Sequence, residues 1–315
     1  MNIRYLSLVV ALGILWGSTF LFVKVLIDET TPLVIVTARS AFAVATMAVI
    51  LVVQRIPLPM APRMWAKVSV MAVFNSVLPL LLISWGQQRV EAGTAAVLNA
   101  TMPLVTAVLA AMVLADERLT FAKVAGIVVG IIGVIVFTGG EILDLGSSDA
   151  IGQLAIIAGT ASWAVNAVYA RAFLRSDNLL GISTLHFLIA LLIMIPVVSL
   201  VNPPADFNMS LKAWGSVFAM GALLSAGGYA VFLWLIHKIG PVYASLNSYV
   251  IPISGLFLGW AILDEDITLE TILGCAIIIL GVALVISGRL IPVGLSRFSA
   301  EKAPPLGALP VEPAD

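Results

Sequence analysis

Residues 92–140 read AGTAAVLNATMPLVTAVLAAMVLADERLTFAKVAGIVVGIIGVIVFTGG, and residues 241–288 read PVYASLNSYVIPISGLFLGWAILDEDITLETILGCAIIILGVALVISG. Aligned with a single-residue gap, the two place Pro103 on Pro252, Glu117-Arg118-Leu119-Thr120 on Glu265-Asp266-Ile267-Thr268, and Gly126, Gly133 and Gly140 on Gly274, Gly281 and Gly288. Towards the amino terminus the correspondence continues at a spacing of 147: Trp16 with Trp163, Lys24 with Arg171, Arg39 with His186. A long apolar chain that repeats itself is the sequence form of a membrane protein assembled from two related units.

Composition excludes a soluble globule. Hydrophobic residues make up 61% and charged residues 10%, with a mean hydropathy of +1.12, against roughly 45–50% apolar and about 25% charged in ordinary soluble domains. A bilayer core of about 30 Å needs about 20 apolar residues per helix, and charge-poor runs recur at that length. Ten spans are predicted: Leu6 to Ile27, Leu33 to Val53, Val68 to Gly86, Thr94 to Leu114, Val124 to Gly139, Ile151 to Phe173, Leu180 to Val201, Trp214 to Ile236, Val242 to Leu263 and Thr271 to Ser287. The fold class is therefore an all-α membrane protein. Residues 1–140 form one five-helix unit and residues 150–289 a second, while 290–315, with Pro304, Pro305, Pro310 and Pro313, read as a disordered cytoplasmic tail.

Positive loops stay on the cytoplasmic side. Arg4, Arg55, Arg63, Lys67, Arg118, Lys123, Arg171, Arg175, Lys238, Arg289, Arg297 and Lys302 all fall on the side of the amino terminus. Lys24, Arg89 and Lys212 fall opposite, and Arg39 lies inside a span. The asymmetry survives only with ten spans, so both termini are expected in the cytoplasm of an inner-membrane protein. Five spans per unit is odd, so the second unit enters the membrane upside down. Inverted repeats of this kind place a central cavity where the halves meet.

With these features in place, the chain resembles the EamA-type transporters of the drug/metabolite transporter superfamily over about residues 5 to 289. The resemblance rests on Leu15-Trp16-Gly17-Ser18, Arg39, Pro103, the stretch from Leu114 to Thr120 and the glycine-spaced fifth helix, the later motifs occurring twice. It implies a ten-helix carrier or exporter of small metabolites such as amino acids or sugars, working by alternating access. Small multidrug members of the superfamily carry a glutamate in their first helix, and Leu12 to Val23 contains none.

All seventeen acids fall in connections, at helix ends or in the tail, so no span offers the buried carboxylate that proton-driven antiporters commonly use. The deep ionisable groups are basic. Arg39 lies seven positions after Pro32, about 10 Å down its helix, and His186 occupies the matching place in the other unit. Each is a candidate for solute or gate contact; the alternatives are carbonyl capping or snorkelling for Arg39 and local hydrogen bonding for His186. Trp16 and Thr19 share a face of the first helix, as Trp163 and Asn166 do in the sixth. Asn75, Asn99, Tyr229 and Asn247 complete the cavity candidates, with interhelical bonding as the alternative for each. Trp85, Trp234 and Trp260, near span ends, read as interfacial anchors. Pro103 and Pro252 are hinge candidates, with plain bending as the alternative. Gly126, Gly130, Gly133, Gly255 and Gly259 read as close-packing faces.

No catalytic, metal or cofactor site is expected: His186, His237 and Cys275 supply too few ligands, and no span carries an acid pair or a zinc motif. The first apolar run exceeds the 7 to 15 residues of a signal-peptide core and reads as a retained helix. A scaffold needs neither duplication nor buried polar groups, whereas a passive channel-like facilitator stays open beside a carrier. The expected partners are the lipid bilayer and a small solute, neutral, zwitterionic or carboxylate-bearing, handled by a monomer without nucleic acid.

Overall fold

The computed structural model describes residues 3–115, 117–174, 178–202 and 204–290. The predicted tail lies outside the described residues beyond Leu290. Among the described residues the chain is helical with no strand. Eight helices are long and apolar enough to cross a membrane: α1 (Ile3–Ile27), α2 (Pro32–Gln54), α3 (Pro62–Gly86), α4 (Ala92–Val113), α6 (Ser148–Phe173), α7 (Leu179–Val201), α8 (Leu211–Gly240) and α10 (Leu269–Ser287, helical to Leu290). Two shorter apolar helices, α5 (Phe121–Phe137) and α9 (Asn247–Leu263), fall between them.

Polar side chains set the helix starts. Thr31, Thr120, Ser147, Asn178 and Ser210 each accept a hydrogen bond from the backbone N–H three residues on, so the first turns of α2, α5, α6, α7 and α8 begin where those residues stand. The predicted third span begins six residues too late, because Pro62 is tolerated in a first helical turn. The predicted ninth begins too early: a short helical turn ends at Ala244, Ser245 and Leu246 form a break, and α9 starts at Asn247.

Two helices widen at one place each. In α3 the turn Val73–Val77 is π-helical, and in α8 so is Ala219–Gly227. At the 147 spacing these are the same part of the sequence. The first has a visible cause, since Pro79 directly follows it. A proline has no N–H to give the carbonyl four residues back and its ring presses on that carbonyl, which here belongs to Asn75.

Packing across the two halves is reciprocal. Helix α1 lies on α9 and α8, and α6 lies on α4 and α3; α2 lies on α8, and α7 on α3; α2 meets α7, α4 meets α9 and α5 meets α10. The tightest seam, α5 on α10, depends on glycine. A Cβ on Gly126 would stand 2.6 Å from the Gly281 carbonyl, and one on Gly281 would stand 2.6 Å from the Gly130 nitrogen, so only hydrogen fits between the backbones. Outward faces stay apolar, with Leu200 88% and Val52 77% exposed, an arrangement suited to lipid rather than water.

Candidate functional site

Where the halves meet, each widened turn receives an indole from the opposite half. Trp163 Nε1 of α6 donates to the Asn75 carbonyl of α3 at 2.8 Å. Trp16 Nε1 of α1 donates to the Leu224 carbonyl of α8 at 3.0 Å. Each indole brings a donor from outside the helix to a carbonyl of the widened turn, with Pro79 nearby in the first and no proline in the second. Ser162 adds a bond to the neighbouring Phe74 carbonyl at 3.0 Å. The Trp16 ring also lies 5.2 Å from Phe232, and a Cβ on Gly228 would meet its Nε1 at 2.9 Å.

A second layer of side chains follows the same exchange. Asn166 Nδ2 donates to Asn75 Oδ1 at 3.1 Å, and Asn75 Nδ2 lies 3.1 Å from His186 Nε2. With its oxygen taken by Asn166, the Asn75 amide Nδ2 donates a hydrogen bond to an unprotonated Nε2. His186 Nδ1 then carries the ring hydrogen and faces the Ser183 and Ile182 carbonyls of its own helix, without a well-formed bond. The ring is fully buried and stands 6.1 Å from that of Tyr229. In the matching place of the other half, Arg39 Nε donates to Ser225 Oγ at 2.8 Å, and Ser225 in turn donates to the Met220 carbonyl.

Several of these groups remain unsatisfied by protein. Arg39 Nη1, Asn166 Oδ1, His186 Nδ1 and Asn247 Nδ2 are buried atoms without a hydrogen-bond partner among the described residues. Leaving a polar group unpaired in an apolar setting costs about 1–3 kcal/mol; Gln87 Oε1, Gln153 Oε1 and Asn202 Oδ1 are unpartnered in the same way nearer the helix ends.

The remaining candidates are less engaged. Thr19 is half-buried one turn along from Trp16, and Asn99 Oδ1 receives a long 3.4 Å bond from Thr160. Pro103 lies in the first turn of the second segment of α4, just after a break at Ala100 and Thr101. Pro252 lies inside α9, several residues beyond the Ser245–Leu246 break, so the two prolines stand differently to their breaks. Trp85, Trp234 and Trp260 are exposed on the outside. Two apolar crevices, of about 400 and 460 Å³, open beside Ile56 and Pro57, and none of the candidate side chains lines either. The larger meets α7 at Thr184 and Leu188, roughly the opposite face from His186 at 100° per residue.

Ser225, the partner of Arg39, was missed in sequence because a lone serine in an apolar run carries no signal. Lys24, read in sequence as a cation opposite the amino terminus, donates through Nζ to the Gln87 and Val90 carbonyls at 3.1 and 3.0 Å, and buried Gln87 returns a bond to the Phe20 carbonyl at 2.9 Å. Glu117 holds Lys123 and Arg171, each at 2.7 Å. Its counterpart Glu265 accepts from Ala92 N at 2.6 Å and Gly93 N at 2.8 Å.

The sequence model of the EamA-like transporter family matches residues 3–139 and again 150–287. The chain is 24% identical to a protein of Bacillus subtilis named uncharacterized transporter YoaV, over 87% of this chain and 94% of that one. It is 25% identical to the uncharacterized inner membrane transporter YedA of Escherichia coli, over 89% of each. An uncharacterized transporter of Archaeoglobus fulgidus is 24% identical over 87% of this chain and 95% of its own length. A solved structure titled only "Crystal structure of protein" shares the fold at a TM-score of 0.62 and 18% identity, covering 90% of this chain and 98% of that one.

Proposed function

The chain belongs to the EamA-like transporter family and is a multi-pass membrane transporter, and from that premise we propose that it carries a small metabolite across the cytoplasmic membrane by alternating access. In this reading ten helices cross the bilayer as two five-helix units of opposite orientation, residues 1–140 and 150–289, with both termini in the cytoplasm. The double family match and the reciprocal packing of the halves support that architecture. Rocking one half against the other exposes the shared interface first to one side and then to the other.

One observation carries the reading: Arg39 Nη1, Asn166 Oδ1 and Asn247 Nδ2, buried polar atoms on helices that pack across the halves, lack a hydrogen-bond partner among the described residues. A solute passing between the halves would satisfy them in turn. The donor of Arg39 suits a carboxylate or another electron-rich oxygen, and the acceptor of Asn166 suits a hydroxyl or ammonium group, so the solute is neutral, zwitterionic or carboxylate-bearing. The carrier works as a monomer, exporting its solute or equilibrating it.

Comparing metabolites released by cells with and without the protein identifies the solute. Reconstituted vesicles then separate carrier from channel. Saturating flux that accelerates when solute is present on the far side supports alternating access; flux linear in concentration, without that acceleration, supports the channel-like alternative. Movement of organic cations alone would contradict the solute class.

A further inference from the structure

The amino end of α4 is held from both sides by charged groups that the solute-contact reading leaves unused. Glu91 stands at its N-cap position, extended at φ −71° and ψ 158°, but its own side chain caps nothing. Glutamate is a poor N-cap; the short side chains of serine, threonine, aspartate and asparagine reach the first-turn amides. The caps come instead from Glu265, 173 positions beyond Ala92 in the α9–α10 connection, whose two oxygens take the Ala92 and Gly93 amides. The carboxylate sits in a slot made by two missing side chains. A Cβ on Gly259 would collide with Glu265 Oε2, and a Cβ on Gly93 would stand 3.2 Å from it. On the other side, Lys24 of α1 ties down the Gln87 and Val90 carbonyls that lead into the same helix.

We propose that Glu265 is a positioning residue of the transport cycle: its carboxylate latches the amino end of α4 to the second half and closes this end of the passage, and the negative charge of Glu91 loosens that latch. The proposal rests on the alternating-access reading, in which contacts that join the two halves at one end must break when that end opens. The Glu265 bonds join the halves by definition, since α4 belongs to one and the α9–α10 connection to the other. The matching acid at the other end, Glu117, pairs with Lys123 and Arg171.

The charged groups facing Glu91 are Lys24 from α1 and Glu265 and Asp266 from the α9–α10 connection; Arg89 is turned away, its guanidinium 3.6 Å above the Trp85 ring. Burial first, then the charge of Glu265, hold the Glu91 carboxyl above its usual range, with Lys24 opposing and Asp266 adding. Closing the latch therefore raises the affinity of Glu91 for a proton. The closed form is favoured as pH falls through that raised value and weakens as pH rises past it.

The test is thiol labelling in membranes. Cys275, the chain's one cysteine, is replaced by alanine, and Val97, fully buried in α4, becomes the reporter as Val97→Cys. A water-soluble maleimide is applied, with rates normalised at each pH to the denatured protein. Two charge-assisted bonds are lost in Glu265→Ala, so labelling is expected to rise by at least about tenfold, with Glu265→Asp between it and the parent. The parent labels more slowly as the medium is acidified, and Glu91→Gln labels slowly at every pH. A Glu265→Ala protein labelling at the parent rate, or a Glu91→Gln protein keeping the parent's pH slope, overturns the proposal. If Glu265→Ala fails to fold, the Glu91→Gln and pH measurements decide alone. Labelling needs no known solute: transport with an unmoved latch counts against the latch, and a responsive latch in a protein that moves nothing counts against the transporter reading.

Discussion

At Arg39 one nitrogen, Nε, is engaged by Ser225 while another, Nη1, is buried without a protein partner. If that nitrogen meets the solute, Arg39→Ala removes a charge-assisted bond of about 1.5–3 kcal/mol, and transport efficiency falls roughly ten- to a hundredfold while the protein still inserts. Full-rate transport by a well-inserted Arg39→Ala protein would remove the residue from the passage. Trp163 makes a separate, structural prediction. Trp163→Phe removes its bond to the Asn75 carbonyl across the halves and destabilises the protein by about 1–3 kcal/mol. Trp85→Phe, on the exposed surface, changes stability by less than about 0.5 kcal/mol. Thermal unfolding of the two variants in detergent, compared with the parent, checks the contrast. The sequence made Trp16 and Trp163 visible through their common spacing, and Asn75, Asn166 and His186 through polarity in apolar runs. It could not show that the three bond in a line, because no periodicity links α3, α6 and α7.

Among the elements, α5 and α10 test the glycine argument. Their backbones approach so closely that Gly281→Leu would force a side chain into the Gly126 and Gly130 backbone. Overpacking of this kind costs about 1–3 kcal/mol or more, and the variant is expected to unfold at a lower temperature than Gly215→Ala, where nothing lies within 4 Å of the added carbon. At the start of α8, Glu29 accepts from Ser210 N at 2.8 Å and Ser210 Oγ at 2.7 Å. Those bonds, the backbone one first, hold the Glu29 carboxyl below its usual range. A lowered folded value means the stabilisation is present above the ordinary carboxylate range and is lost as pH falls through the lowered value. Unfolding followed against pH should therefore show a shallower acid-side loss in Glu29→Gln than in the parent, and an unchanged slope would discount the pair. The eight long apolar helices were legible because lipid demands long apolar runs. The π-helical turns were not: widening a turn leaves an apolar run unbroken, and although Pro79 hints at the first, Ala219–Gly227 contains no proline. The break before α9 carried no proline or glycine at Ser245 and Leu246 to mark it.

For the molecule as a whole, the duplication read in the chain reappears as exchange between halves: tryptophan to widened turn, deep basic residue to the same turn, acid after the fourth helix of each unit to a partner. Sequence revealed which residues correspond but not with what they pair, because the partners lie across the interface. The central claim is that these halves face opposite ways in the bilayer. It is tested most directly at Arg118 and Asp266, neighbouring the duplicated acids and both exposed. With Cys275 replaced by alanine, Arg118→Cys and Asp266→Cys are challenged separately with a membrane-impermeant thiol reagent on intact and on broken cells. The account predicts that Asp266→Cys reacts in intact cells and Arg118→Cys only after the membrane is opened. Reaction of both from the same side would contradict it.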